Sequence, residues 1–308
     1  MLPICVYSGD EALWRDAARR LHRATLTVVP SAGTPASACS AVVFAGAAQA
    51  EPAAIERELT AGRHVLVAAE PCLTRATLTS LSAEAAKRGV RLSVVNPDRW
   101  LGSRQTVKKQ LGGPLGSPEL VRIHRWESRT SAAATAPLGL PAALVAEIEQ
   151  ALWLIGRPLE TVFALEHRAA TPPTSGRFVQ VHLGFCPGMA ILDYDGRLPT
   201  ATGDVSPGYR SLSVIGSSGS AQTDDQANSQ LAYRGGAPQA VVVGEGVMHL
   251  AKLVDDFAAK LASGAAAKEA ASDGLDDWLA VADAVAAVER SLKDRQAVKL
   301  AVAERKVG

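Results

Sequence analysis

The first hundred residues alternate short apolar runs with amphipathic stretches, and that alternation leaves few ways to fold. "PICVY", "TLTVV", "AVVFAG", "HVLVAA" and "VRLSVV" are five or six residues long and rich in β-branched types. "DEALWRDAARRLHRA", "EPAAIERELTAG" and "LTRATLTSLSAEAAKRG" carry apolar residues at helical spacing, and Gly62 and Gly89 follow two of the helix ends, where a left-handed cap belongs. Strands alternating with helices of this length predict βαβ units, a parallel sheet and helices on both faces. The expected domain is α/β, doubly wound and Rossmann-like.

After "NPDRW" the pattern changes. In "LVRIHRWE", Leu120, Arg122, His124 and Trp126 point one way and Val121, Ile123 and Arg125 the other, as in a strand with two different faces. A helix is predicted around "PAALVAEIEQALWLIG". The strand candidates "ETVFALEHR", "RFVQVHLGF", "MAILDYD", "RSLSVIGSSGSAQTD" and "QAVVVGEG" then follow without helices between them. Such a run predicts an open-faced, largely antiparallel sheet. Two amphipathic helices, at about 247–262 and 274–294, close the chain. At 308 residues the chain exceeds what one core usually serves. The expected division is a Rossmann-like domain over 1–102 and an α+β domain over 103–308.

Lys+Arg 32 against Asp+Glu 31 gives no electrostatic bias toward nucleic acid or an anionic membrane. Neither is expected as a partner. Cys5, Cys39, Cys72 and Cys186 lie far apart, with no CxxC pair and no histidine at metal-ligand spacing. They read as reduced, mostly buried thiols. No export signal or span of about 18 apolar residues is apparent, so a cytoplasmic location is expected.

Six segments carry a family signature: "AGRHVLV", "AAKRGVRLSVVNPDRW", "KKQLGGPLGSPELVRI", "WLIGRP", "SVIGSSGSAQTD" and "DGLDDWLAVADAVAAVERS". In this order and spacing the chain resembles the Gfo/Idh/MocA family of sugar and inositol oxidoreductases over nearly its whole length. The resemblance implies a Rossmann domain followed by an open-faced sheet, and NAD(P)-dependent hydride transfer at a sugar carbon. It also implies association through the open sheet.

The residues that the family's chemistry depends on are replaced. The GxGxxG fingerprint after the first strand lets a pyrophosphate rest on a helix N-terminus. Here "ICVY" runs into "SGDEALW", and with Gly9 in the first position Glu11 and Trp14 occupy the other two. Ser8 and Gly9 are all that remains of a cofactor-binding turn. After "VV" the chain continues with Pro30 and Ser31 rather than a carboxylate for the ribose, and after "AVVF" it has Gly46, Ala47 and Gln49. At the family's Glu-Lys-Pro turn, "RHVLVAAEPCLT" puts Ala68 and Ala69 at the charged pair, or with one inserted residue Glu70 at the lysine. The next lysine is Lys87. Ahead of "WLIG", the positions of the family's acid and its histidine base hold Glu149 and Ala146. Losing a positioned acid or base costs about a hundred- to ten-thousand-fold in rate.

Other polar residues are ligand-cleft candidates. Asn96 and Arg99 of "NPDRW" sit where the family lines its substrate cavity, or Arg99 caps a helix or pairs with Asp98. His124, Trp126, Gln180 and His182 fall on the polar sides of two strands, lining the open face, an interface or solvent. "DYD", Asp193 to Asp195, reads as a solvated hairpin end rather than a metal pair. The run around Gly216 and Ser218 lacks the register of a nucleophile elbow and reads as a β-turn.

The expectation is a non-catalytic pseudo-oxidoreductase that acts as a binding or scaffolding subunit, either as a homo-oligomer through the open sheet or with an active paralogue, with no catalytic residues and no cofactor. The alternative is an active NAD(P)-dependent oxidoreductase on a sugar or polyol, using NAD or NADP and a substitute base, Glu149 or Glu70. A second alternative is a small-molecule sensor using the interdomain cleft.

Overall fold

A computed structural model describes residues 1–29, 39–46, 50–68, 73–128, 139–168, 177–198, 209–225, 229–233, 239–242, 247–263 and 274–301. In chain order the elements are β1 (Leu2–Ser8), α1 (Glu11–Ala18), β2 (Ala24–Val29), β3 (Ala41–Ala45), α2 (Pro52–Thr60), β4 (His64–Ala68), α3 (Arg75–Arg88), β5 (Leu92–Val95), a 3-10 turn (Pro97–Trp100) and α4 (Gly102–Gln110). There follow β6 (Pro118–Ser128), α5 (Ala142–Ile155), β7 (Leu159–Arg168), β8 (Arg177–Phe185), β9 (Met189–Leu198), β10 (Tyr209–Gly216), β11 (Gly219–Asp224), β12 (Ser229–Tyr233), β13 (Gln239–Val242), α6 (Met248–Ala262), α7 (Leu275–Asp294) and β14 (Val298–Lys299). Among the described residues, no helix is long and apolar enough to cross a membrane.

The chain forms two compact units, Met1–Arg104 with Gly244–Ala280, and Gln105–Val243 with Val281–Gly308. Helix α6 and the start of α7, which the sequence reading placed in the second domain, thus belong to the first unit.

The first unit is a five-stranded parallel sheet in the order β2-β1-β3-β4-β5. Alternation sorts its buried strand residues. Ile4, Val6, Ala41, Val43, Leu66 and Ala68 share a core with Trp14 and Ala17 of α1 and with Leu250, Leu253, Val254 and Phe257 of α6. On the other face Tyr7 stacks on Phe44 at 5.0 Å and donates its hydroxyl to buried Glu58 of α2. The described part of the β2–β3 connection holds no helix, and α6 supplies the second helix on the α1 face. Asp255 of α6 accepts the backbone N–H groups of His22 and Arg23, and Asp256 accepts the Trp100 indole N–H at 2.6 Å. Gly89 closes α3 in the left-handed conformation at φ +66°, as its position predicts.

The start of α7 is pinned to the same unit. Trp278, 3% exposed, donates its indole N–H to the Val94 carbonyl. Gly274 has φ +80°, and a Cβ there would lie 2.5 Å from the Val94 oxygen. The expected thiol state is corrected in this unit: Cys5 and Cys39 form a disulfide with a Cα–Cα distance of 6.0 Å. Cys5 lies on β1 and Cys39 just ahead of the neighbouring β3, so strand pairing brings together two cysteines 34 residues apart. Cys186 is a free, exposed thiol, and Cys72 lies outside the described residues.

The second unit holds a nine-stranded sheet in the order β13-β12-β11-β10-β6-β9-β8-β7-β14. Its pairs are antiparallel except β6 with β9. The strand β12, "SQLAY", has no counterpart in the sequence reading. Val121, Ile123, Val179, Val181, Leu192, Tyr194, Leu212 and Val214 are buried on one face, where α5 packs on β6 and β9. The "GSSG" run is the β10–β11 hairpin turn. A Cβ on Gly216 would lie 2.1 Å from the Leu115 carbonyl oxygen, and Ser217 and Ser218 bond the backbone of Ser117 and Leu115. That close backbone contact, not a nucleophile, is what the small residues serve.

Two stability outcomes follow. Gly274→Ala places a side chain in a left-handed position and against a backbone carbonyl, and Trp278→Phe strands that buried carbonyl; each lowers unfolding free energy by about 1–3 kcal/mol in urea titrations. Reducing the Cys5–Cys39 bond, which closes a 34-residue separation, lowers stability by about 3–4 kcal/mol on the loop-entropy scale. Cys5→Ser reproduces that loss in oxidising buffer and abolishes the effect of reductant.

Candidate functional site

In a sheet of order β2-β1-β3-β4-β5 the ligand crevice lies outside the carboxyl ends of β1 and β3, where strand order reverses. Ser8 ends β1 there, buried, with its hydroxyl accepting the Asp10 N–H at 3.0 Å. Asp10 is the N-cap of α1, and its carboxylate accepts the Leu13 N–H at 3.0 Å. Glu11, in the first helical turn, pairs with Arg15 at 2.7 Å. A dinucleotide pyrophosphate needs that helix end's amides and positive potential. Here a carboxylate already holds one amide, and a second carboxylate stands beside it. Trp14 is 3% exposed, its indole buried between α1 and the sheet. The residues of this turn do not fit a pyrophosphate, and Gly9 is exposed with no side chain to offer.

Ala68, at the end of β4, is 5% exposed and belongs to the core that also contains Val95, Val247 and Trp14. It faces packed side chains. Pro30, Ser31, Ala47, Gln49, Ala69 and the candidate base Glu70 lie outside the described residues. Asn96 is 1% exposed, and its Oδ1 accepts the Asp98 N–H, capping the 3-10 turn. Arg99 pairs with Asp277 at 2.9 Å. Both cleft candidates of "NPDRW" therefore have structural partners within the first unit.

In the second unit, α5 is buried on nearly every side. Ala146 and Glu149 are 1% and 0% exposed. A general base must reach a substrate proton directly or through one water. Glu149 is sealed inside its own unit. Beside it Glu147, 1% exposed, receives Arg210 at 2.8 Å and Arg125 at 3.4 Å, and Arg125 also pairs with Glu127 at 2.8 Å. Tyr194 donates its hydroxyl to Glu127. Burial works to lower the Arg125 pKa, but Glu147 and Glu127 outweigh it and hold it above its ordinary value. This network ties the helix to the sheet.

The opposite face of the sheet brings together the remaining candidates. Register aligns rows across β7, β8, β9, β6 and β10. One runs His167, Phe178, Asp195, Trp126, Tyr209; the next Leu165, Gln180, Asp193, His124, Ser211; the third Phe163, His182, Ile191, Arg122, Ser213. Trp126 lies 4.9 Å from the Tyr209 ring. Asp193 is 6% exposed and sits within the strand, which corrects the solvated hairpin end read from "DYD". Its Oδ2 meets His124 Nδ1 at 3.1 Å and Arg122 at 3.2 Å, and its Oδ1 accepts Gln180 at 2.7 Å. His182 is bonded to Gln180 at 3.2 Å. The alternating polar residues of "VRIHRW" and "FVQVHL" are the sequence signal for this cluster, but Asp193 as its centre depends on register. Among the described residues, no group of three or more His, Cys, Asp or Glu is placed to hold a metal.

No family model matches the chain, and no curated protein matches it. Solved structures do. An aldose-aldose oxidoreductase from Caulobacter crescentus, complexed with glycerol, is similar with a TM-score of 0.77 at 16% identity, over 97% of this chain and 99% of that one. A putative myo-inositol dehydrogenase from Sinorhizobium meliloti gives 0.73 at 16%, over 98% and 100%. An oxidoreductase from Agrobacterium radiobacter, in complex with NAD+, L-tartaric acid and magnesium, gives 0.73 at 14%, over 97% and 98%. The fold is that of Gfo/Idh/MocA-type dehydrogenases and oxidoreductases.

Glu147→Gln leaves two half-buried guanidinium groups without their shared carboxylate. It is expected to cost about 3–5 kcal/mol in chemical unfolding, whereas Glu127→Gln, on the same network but with Glu147 intact, costs less.

Proposed function

We propose that this chain is a non-catalytic member of the oxidoreductase fold, a pseudo-enzyme that acts as a binding or scaffolding subunit. The observation that carries this is the β1–α1 turn: Asp10 caps the amide end of α1, Glu11 adds a second carboxylate, and Trp14 fills the space behind them. The other family positions support it. Ala68 is packed in the core, and Ala146 and Glu149 are buried in α5. A site that had lost one residue could be rescued by a neighbour; here cofactor cradle and base positions are replaced together.

The open sheet face supports the scaffolding role, and we assign it to a second copy of this chain. Its exposed apolar side chains, Trp126, Leu165, Met189 and Ile215, are each 40% exposed or more. Five strands at about 4.8 Å and four two-residue steps of about 6.7 Å make a face of about 650 Å². A pair would bury about 1,300 Å², within the range of specific interfaces. Across these rows the charged residues are only Arg122, Asp193 and Asp195, so self-pairing meets little repulsion.

The competing reading is an active NAD(P)-dependent oxidoreductase on a sugar or polyol, favoured by the NAD+ held by the similar Agrobacterium protein. Calorimetric titration with NADH and NADPH separates the two. No binding is expected up to millimolar cofactor, and Asp10→Gly with Glu11→Gly does not restore it because Trp14 remains. Micromolar binding of either nucleotide overturns the pseudo-enzyme reading. A thermal shift with a metabolite but with neither nucleotide points to a sensor instead.

A further inference from the structure

His64, at the start of β4, is bonded to both neighbouring strands. Its backbone N–H donates to the Ser40 carbonyl just ahead of β3, and its imidazole Nδ1 accepts the backbone N–H of Arg91, at the entry to β5, at 2.9 Å. The Arg91 carbonyl in turn accepts the Val65 N–H at 2.8 Å, so Arg91 is clamped to β4 on both sides of its Cα. β5 is an edge strand of four residues whose described partner is β4. The imidazole supplies a bond where the backbone ladder of this short edge begins. An acceptor nitrogen cannot also carry a proton: protonated at Nδ1, the ring turns a donor toward the Arg91 N–H and the bond is lost. The surroundings act in the same direction. Arg91 is 6% exposed and brings a guanidinium to the ring, and burial withholds water from an imidazolium. At the ends of α2 and α3 that lead into β4 and β5, Arg57 and Arg63 hold Glu58, and Lys87 and Arg88 hold Glu84, while Glu56 is exposed. Among the described residues, no carboxylate forms an ion pair with His64.

We propose that His64 is a proton-operated latch on the β5 edge of the first sheet: the neutral ring holds Arg91 and keeps the edge closed, and protonation releases it. Opening bares the backbone of Leu92–Val95, with Leu92 and Val94 otherwise buried, and loosens the Val94 carbonyl that seats the Trp278 indole. The sign follows from the acceptor role of Nδ1. Burial first, and then the Arg91 charge, hold the His64 pKa below its ordinary value, and in the opened state, with the ring in water, it returns to about 6.5. The opened state therefore binds more protons. The latch is fully held above about pH 6.5 and is lost as pH falls below it through the folded-state value.

Amide hydrogen exchange followed by NMR on the full chain tests this, with protection factors compared at about pH 7.5 and about pH 5.0. Protection at Arg91 and the β5 amides is expected to fall about three- to thirtyfold at the lower pH, the upper limit being what an opened-state value near 6.5 allows. It should stay below that of the β1 and β3 amides at both pH values. His64→Asn keeps an acceptor oxygen for the Arg91 N–H but takes no proton, and the fall should vanish; His22→Asn, at an exposed histidine of the same unit, should leave the fall as it is. Equal Arg91 protection at the two pH values overturns the proposal, as does a fall that survives in His64→Asn. Protection at Arg91 equal to that of β3 at the lower pH overturns it too, because the edge then opens only with the whole unit. Independently of any variant, a His64 imidazole that titrates at or above about 6.5 in the folded chain contradicts the latch.

Discussion

Trp14 is the residue on which the first unit's arrangement depends. Its indole occupies the core between α1, α6 and the sheet, so α1 is seated on a bulky side chain where a nucleotide-binding turn needs the close approach that glycine permits. Truncating a buried tryptophan costs about 3–5 kcal/mol. The same side chain therefore stabilises the fold and fills the space between α1 and the sheet. Asp10 completes the change by capping the helix with its own carboxylate, a good N-cap and a poor neighbour for phosphate.

The second unit separates its two faces by charge and burial. On one, Glu147, Arg125, Arg210 and Glu127 form a buried network beneath α5. On the other, Asp193 gathers Arg122, His124 and Gln180 within a surface of exposed apolar side chains. The first network is internal, centred on the buried Glu147 carboxylate. The second is poised at the sheet surface, with the Asp193 carboxylate buried and its partners half-buried or exposed.

Much of this architecture was legible in the residues. The β–α alternation, the C-terminal helices, the glycine cap at Gly89 and the two-faced strand of "LVRIHRW" depend on local periodicity, and the structure has them all. Features set by pairing were not legible. Cys5 and Cys39 are 34 residues apart and meet only because β1 lies beside β3. The parallel β6–β9 pair puts Asp193 beside His124, and no local pattern announces that register. The return of α6 to the first sheet is likewise tertiary, driven by an apolar stripe of Leu250, Leu253, Val254 and Phe257 that gives no sign of which sheet it will cover. Of the candidate site, the absences in the fingerprint were plain from Glu11 and Trp14; an ion pair for Arg99 was open in the sequence, but its partner Asp277 on a distant helix was not legible.

A chain of this fold that binds no dinucleotide must keep the amide end of α1 closed, here by its own Asp10 carboxylate. Amide chemical shifts recorded while NADPH is raised to millimolar concentration address that end directly. The Ser8 to Trp14 amides, Leu13 foremost, are expected to stay in place. A saturating displacement localised to those amides would mean that Asp10 yields its position to phosphate, and would contradict it.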